Sequence, residues 1–390
     1  MNPSPHVLIL GAGYAGLMAV LRIRAQAPRA KITVVNGTDH FVERIRLHQM
    51  ASGQTVKPIP LQKLLPKNVT FVQAWVEAIL PDQKAVQVSL QGQKQTLTYD
   101  YLIVALGSHI DRDSVAGVRE YAHTLDAQTT GHLQQALPNA KKLVICGGGL
   151  TGIEAATEFA QAFPSLEITL VTQGRLGANL SQKGADYLHR VFREAGIKRV
   201  ENTSVQAITA QHIETSHGHL PYDVVVWAGK FSVPKIAQNA DIQTNTLGQI
   251  KVDAYQRSLS HPDIFAIGDI SVFAHTSPLR MACATAMPMG AKVGDNISAL
   301  INHQPMTPFR FGYFFRCISL GRKRGLVQFV SADDTPQERV LTGRLGGLVK
   351  EMICRFTVWS VRMERVVPKS YRYPQGTATQ TPLKQGVEHG

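Results

Sequence analysis

The sequence predicts an α/β protein: two strand–turn–helix–strand units followed by a small C-terminal α+β domain. Three observations predict it. A GxGxxG turn stands between an apolar strand and a helix near the start of the chain. The same arrangement recurs 136 residues later. After Met306 the pattern changes to short β-runs and one long basic, amphipathic helix. With 390 residues, 44% of them hydrophobic and 18% charged, the chain has material for two or three packed domains. Disorder along the whole length is excluded by that composition.

The first unit opens with His6–Leu10, an apolar run readable as a buried parallel strand. Gly11, Gly13 and Gly16 follow, with Tyr14 and Ala15 between the second and third glycines. Residues 17–25 have helical composition, and Lys31–Val35 reads as the next strand. In such a turn Gly11 permits the tight bend. Gly13 lets backbone approach a pyrophosphate. Gly16 lets helix and strand pack closely, and the helix N-terminus receives the negative charge. The acidic ribose ligand expected at the end of the second strand is replaced by Asn36, with Asp39 three residues on. An Asn can hydrogen-bond a ribose hydroxyl without charge.

The second unit repeats the pattern. Lys142–Cys146 is the strand, Gly147, Gly149 and Gly152 form the turn, residues 153–162 the helix, and Glu167–Val171 the next strand. Here Thr172 and Arg175 stand at the strand end. With no carboxylate there to repel a 2′-phosphate, and Arg175 able to pair with one, NADPH is expected to be at least tolerated. Two such units imply two dinucleotides, most simply a hydride carrier and a tightly held redox cofactor.

Four further stretches carry a resemblance. They are Tyr101–Ser108, Asp223–Gly229, Pro262–Asp269 and His40–Gln49. With the glycine units, and in this order, they resemble the two-dinucleotide flavoproteins of the pyridine nucleotide–disulfide oxidoreductase superfamily, nearest to the type II NADH dehydrogenase and apoptosis-inducing-factor-like branch. The resemblance implies two Rossmann-like domains: an FAD domain in two pieces, 1–112 and 241–305, and an NAD(P)H domain, 113–240. It implies that Ala105 and Gly107 close the first nucleotide fold and Gly229 the second. It places Gly268 and Asp269 against the flavin ribityl chain, and Arg44 near the isoalloxazine. It places Glu154 beside the nicotinamide as a candidate catalytic carboxylate. The residues agree for Asp269: it ends a short buried run, where ligands bind in α/β sheets, and it can accept hydrogen bonds from a polyol. A first-turn helical Glu is also what the macrodipole favours at residue 154.

The segment after Cys283 reads as a helix entered through Pro288, since Pro suits the first helical position. Its N-terminus would face charge developing on the flavin. The resemblance places Met287 and Met289 on the quinone side, where related dehydrogenases often carry a Gln, so the acceptor site is expected to be more apolar. Cys146, Cys283, Cys317 and Cys354 are widely spaced, with no CxxC. That pattern suits neither a disulfide scaffold nor a zinc site, and no metal site is expected. The superfamily's CxxxxC pair is missing from the first unit, which disfavours dithiol chemistry. Cysteine-dependent sulfide:quinone oxidoreduction stays a minor alternative.

Net charge is +13, and residues 306–390 supply +8 of it, from 14 Lys or Arg against 6 Asp or Glu. The C-terminal domain, 306–373, reads as two strands, 310–320 and 325–330, then a helix over 344–367. Leu345, Leu348, Met352, Phe356, Trp359, Met363 and Val366 follow at spacings of three and four, a helical stripe among basic residues. Such a helix either lies in a membrane interface or packs its stripe on the protein. Nucleic-acid binding has no motif behind it beyond charge. Residues 374–390 read as a disordered tail. No apolar run reaches membrane-span length and no signal peptide is evident, so the expected location is the cytoplasm, with peripheral attachment to the inner face of the membrane open. The leading expectation is an FAD-dependent NAD(P)H dehydrogenase acting on a quinone or similar small acceptor. A reductase for a protein carrier such as ferredoxin, a slow redox-sensing flavoprotein, and a homodimer are the other readings left open.

Overall fold

The computed structural model describes residues 4–126, 129–274 and 276–376. Most of the expected tail, from 377 onward, lies outside the described residues.

The first sheet is parallel, in the order Ile264–Ala266, Tyr101–Val104, His6–Leu10, Lys31–Asn36, Thr70–Gln73. Its central strands are covered on both faces, which is why they read as unbroken apolar runs. The chain leaves this sheet after Val104 and returns to its edge only at Ile264. The second sheet, also parallel, has the order His123–Thr124, Val224–Trp227, Lys142–Cys146, Glu167–Val171, Lys198–Val200.

Helix Tyr14–Gln26 lies between the first sheet and helix Cys283–Ile301. The two helices approach so closely that a Cβ on Gly290 would strike the Ala15 carbonyl. The second of these helices corrects one expectation. It starts at Cys283, after Ala282 in extended conformation, and Pro288 sits inside it. Pro288 has no N–H to give the Ala284 carbonyl. The first turn is closed instead by Ala286 N donating to Ala282 O at 3.0 Å and by the Thr285 hydroxyl donating to Arg280 O at 2.7 Å. A second correction follows. Met287 and Met289 are core residues, 2% and 3% exposed, and Met289 reaches only a small recess beside Gly268 and Asp269. The displaced helix start turns both inward.

The C-terminal domain has three antiparallel strands, Phe315–Ser319, Gly325–Val330 and Pro336–Thr342, the third unforeseen. The first is shorter than expected. Helix Gly343–Val366 follows. Its sheet leans on the second nucleotide domain: Glu338 accepts from Gln182 N at 2.9 Å and Lys183 N at 3.1 Å. Its helix leans on the first: Glu364, fully buried, pairs with Arg22 at 2.7 Å. Glu364 also accepts from the backbone of Lys369 and Tyr371, turning the chain back after the helix. Gly312 N then donates to Pro374 O at 3.2 Å.

This helix settles which face packs. Most of the buried residues are small or polar, Gly346, Cys354, Thr357, Ser360 and Glu364, and Val358 and Val361 are the apolar ones. The apolar stripe points outward, with Leu345, Leu348, Met352, Phe356, Trp359 and Val366 all exposed. Among the described residues no helix is long and apolar enough to cross a membrane.

Candidate functional site at the junction of the two nucleotide folds

The two glycine turns are built alike. Gly11 and Gly147 both have positive φ, +101° and +129°, and each lies against the carbonyl just past the end of the neighbouring strand, of Ala105 and Ala228. A Cβ on Gly16 would strike the Gly11 carbonyl, and one on Gly152 the Gly147 carbonyl. At Gly13 and Gly149 the space is open. In the first unit Leu17 N makes the first intrahelical bond, to Gly13 O at 3.0 Å. The N–H groups of Tyr14, Ala15 and Gly16 therefore have no helical carbonyl, and they stand beside the open position, as an anion site requires.

Elements of both units reach one cavity of about 320 Å³. Of the expected residues, Gly13, Tyr14, Ala15, Arg44, Ala105, Gly107, Glu154, Gly268 and Asp269 line it. Gly11 and Gly16 lie behind the first turn. Asn36 turns inward: its Oδ1 accepts from Ala12 N at 2.9 Å and its Nδ2 donates to Thr38 O at 2.9 Å, so it braces the turn. Gly147, Gly149, Gly152, Thr172, Arg175 and Gly229 shape the second turn away from this cavity, Gly229 against the Trp227 ring.

Asp269 accepts from the Ser108 hydroxyl at 2.6 Å through Oδ2, with Arg44 3.7 Å from the same oxygen. Arg44 also donates to Ser108 O at 2.9 Å and lies over the Phe231 ring of the second domain. Asp269 is thus fixed by one oxygen. Among the described residues no protein donor takes Oδ1, which suits a carboxylate that accepts from a polyol. Open glycine backbone, free helix N–H groups and this carboxylate fit the pyrophosphate and ribityl parts of FAD. The first turn of helix Cys283–Ile301 lines the same cavity through Cys283, Ala284 and Ala286.

Glu154 is not a free base. Its carboxylate pairs with Lys350 at 2.9 Å, accepts from Ser319 N at 2.9 Å and lies 3.8 Å from His48 Nδ1. Burial alone would raise its pKa. Lys350, His48 and the Ser319 N–H outweigh burial, and the carboxyl stays below its usual range. Burial pushes Lys350 down, but Glu154 beside it holds the ammonium above its ordinary value. His48 is lowered to about 4, mainly by burial and against the pull of Glu154. Near neutral pH the cavity floor therefore carries an intact ion pair and a neutral imidazole.

Sequence reasoning gave Lys350 no role, and reached His48 and Ser108 only as members of the stretches His40–Gln49 and Tyr101–Ser108. Lys350 read as one more solvated cation of the basic helix; its place on the face opposite the apolar stripe was the available signal. It also missed Glu201, which accepts from Leu176 N at 2.7 Å and brings a carboxylate beside the Arg175 loop from a different strand. The scattered cysteines are partly reunited. Cys283 and Cys317 both line the cavity, and Lys350 donates to the Cys317 carbonyl at 3.3 Å. Burial pushes the Cys283 thiol up to about 11 and that of Cys317 up to about 12.

Two nucleotide folds that share a cavity, one fitted to FAD, define an oxidoreductase built on two dinucleotides. Residues 5–290 match the family described as pyridine nucleotide-disulphide oxidoreductase, and the chain belongs to that family. It is 26% identical to an NADH dehydrogenase-like protein of Mycobacterium tuberculosis over 81% of this chain and 86% of that one. It is 24% identical to a type II NADH:quinone oxidoreductase of Staphylococcus haemolyticus, over 91% and 95%. In fold it is similar to the sulfide:quinone oxidoreductase of Aquifex aeolicus, with a TM-score of 0.80, 21% identity, and coverage of 94% and 93%.

Proposed function

We propose that this chain is an FAD-dependent NAD(P)H dehydrogenase that delivers electrons to a quinone-like acceptor at a membrane surface. One observation carries the reading: residues of both nucleotide units, Gly13, Tyr14 and Ala15 of the first and Leu150, Thr151 and Glu154 of the second, line a single cavity. Two dinucleotides bound at their own helix N-termini would meet there. FAD, when bound, accepts a hydride from the nicotinamide and gives electrons up to a second acceptor. The chain's own residues bind and orient. Gly13 and the N–H groups of residues 14–16 hold the pyrophosphate. Asp269, fixed by Ser108 and Arg44, holds the polyol. The free N–H groups that open helix Cys283–Ile301 favour negative charge developing in the cavity. Glu154 and Lys350 act as a charged pair on the cavity floor, with Lys350 the cation able to stabilise that charge. Gly147, Gly149, Gly152, Thr172, Arg175 and Gly229 hold the NAD(P)H.

The membrane part of the reading rests on the outward apolar stripe of Gly343–Val366 and its basic neighbours. The relatives named for quinone chemistry support the acceptor class. Thiol-based sulfur chemistry is less well supported, because burial keeps both cavity cysteines protonated near neutral pH.

The test is anaerobic. The purified protein's flavin absorbance is followed during addition of NADH or NADPH, then of a short-chain quinone. Bleaching and fast recovery on quinone are expected. A missing flavin, or one that neither nucleotide reduces, overturns the proposal.

A further inference from the structure

A second cavity, of about 690 Å³, shares Lys350 with the first. It is walled by residues 43–59 of the first domain, the turn 319–324 and the C-terminal helix. The wall is strongly basic, yet most of its cations are already matched. Arg46 pairs with Glu43 and Glu351, Arg322 with Glu158, Arg324 with Glu194, Lys350 with Glu154 and Arg355 with Glu351. Two more cations line the cavity, Lys57 and Arg362. Among the described residues no acid lies within ion-pair distance of either. The cavity therefore holds positive charge that the protein itself does not neutralise.

The same wall is the edge of the apolar stripe. Trp359 lines the cavity, is 54% exposed, and stacks on exposed Phe356 with ring centroids 5.7 Å apart. A polar basic recess thus adjoins an apolar ridge on one helix. That combination matches an amphiphile with an anionic head. We infer that this cavity seats the phosphate headgroup of an anionic phospholipid, with its acyl chains against the Phe356–Trp359 ridge. The inference rests on the membrane docking proposed above. Lys57 and Arg362 are both exposed, so water serves them until an anion arrives, and a neutral quinone head would make no use of their charge. An acidic carrier protein would match them but leave the apolar ridge to find another cover.

The test uses the full, FAD-loaded chain and vesicle flotation. Vesicles are phosphatidylcholine alone, or phosphatidylcholine with phosphatidylglycerol. Three double variants are compared, each checked for flavin content and thermal unfolding. The cavity variant is Lys57→Gln with Arg362→Gln. The charge control is Lys323→Gln with Arg344→Gln, two exposed cations off the cavity wall. The ridge variant is Phe356→Ser with Trp359→Ser. The unaltered chain should bind the anionic vesicles about tenfold or more tightly than the neutral ones, the order expected for two basic groups near an anionic surface. The cavity variant should lose that preference yet bind neutral vesicles as before. The charge control should lose clearly less of it than the cavity variant does. The ridge variant should leave both vesicles.

Equal binding to both vesicles by the unaltered chain, or an equal loss of preference in the charge control, overturns the headgroup site and leaves the docking intact. Binding to neither vesicle overturns the docking itself. Release of the protein from anionic vesicles by a short-chain quinone would assign the recess to the acceptor and overturn the headgroup reading.

Discussion

The two glycine units share a backbone and differ in what surrounds it. In the first, the turn and the helix behind it are buried from Tyr14 to Ile23, and only Gly13 is open. Helix Cys283–Ile301 covers it, and Asn36 ties the turn to the next strand. In the second, Gly149 and Leu150 are exposed, and Thr172 packs against Gly148 where the first unit has its Asn brace. One motif thus serves two kinds of holding. A walled-in turn suits a cofactor that stays; an open one suits a nucleotide that comes and goes. Sequence shows the motif, and packing sets the two turns apart.

The sharpest way to break this comparison is to place a methyl group at the same position of each unit. Gly16→Ala and Gly152→Ala each aim a Cβ at the carbonyl of the unit's first glycine. Overpacking of this kind costs about 1–3 kcal/mol, a roughly fivefold to 150-fold loss of affinity when it falls on binding. Gly16→Ala should purify with little or no flavin. Gly152→Ala should keep its flavin but need far more NADH to bleach it. Flavin absorbance per protein, followed by nucleotide titration, reads both. Loss of flavin from Gly152→Ala with retention in Gly16→Ala would reverse the assignment of the two sites.

The second unit is also held from outside, through Glu154 and Lys350. Lys350→Met removes one partner of a buried pair and should destabilise the protein by about 3–5 kcal/mol, because a buried carboxylate is left without its cation. Adding Glu154→Gln should recover most of that loss. Thermal unfolding of the two single variants and the double variant measures the coupling. Simple addition of the two losses would show that the pair does not tie the domains together.

His48 gives a smaller effect with a defined direction. Its pKa falls from 6.5 to about 4 on folding, chiefly by burial. Between those values the unfolded chain binds the extra proton and the folded chain does not. The stability this provides is complete above pH 6.5 and is lost as pH falls towards about 4. By linkage the loss is about 3 kcal/mol at most. His48→Gln should flatten the stability profile between those pH values while leaving the acid limb below it. An unchanged slope would place the titrating group elsewhere.

The legible parts of this molecule are those fixed by local rules. Buried parallel strands are apolar throughout, so His6–Leu10 and Lys142–Cys146 have the same ends in sequence and structure. Glycine turns between strand and helix announce themselves by spacing. The rest depends on long-range packing. Pro288 predicts a helix start because Pro favours that position, yet Ala282 and Thr285 close a first turn five residues earlier. The stripe of Gly343–Val366 fixed a helix but not which face would pack. Burial went to the side carrying Glu364 and Lys350, whose partners Arg22 and Glu154 lie hundreds of residues or a domain away in sequence. No local periodicity reports such pairs.

The smallest expected effect concerns which nicotinamide the open unit prefers. The strand end carries Thr172 and Arg175 and no acid, which favours a 2′-phosphate. Folding then brings in Glu201, but its Oε1 is engaged by Leu176 N at 2.7 Å. A hydrogen-bonded carboxylate still repels phosphate, and exposed Arg175 attracts it. The two largely offset each other, so kcat/KM for NADH and NADPH should agree within about tenfold, or 1.4 kcal/mol. Arg175→Ala should lower the NADPH value alone, by about fivefold, since an exposed ion pair is worth no more than about 1 kcal/mol. Glu201→Gln keeps an acceptor for Leu176 N and should raise it by a similar factor. Equal losses for both nucleotides in Arg175→Ala would place that guanidinium away from the ribose. A preference for NADH well beyond tenfold would mean that Glu201, a residue outside the motif, has taken over the role the missing strand-end acid usually plays.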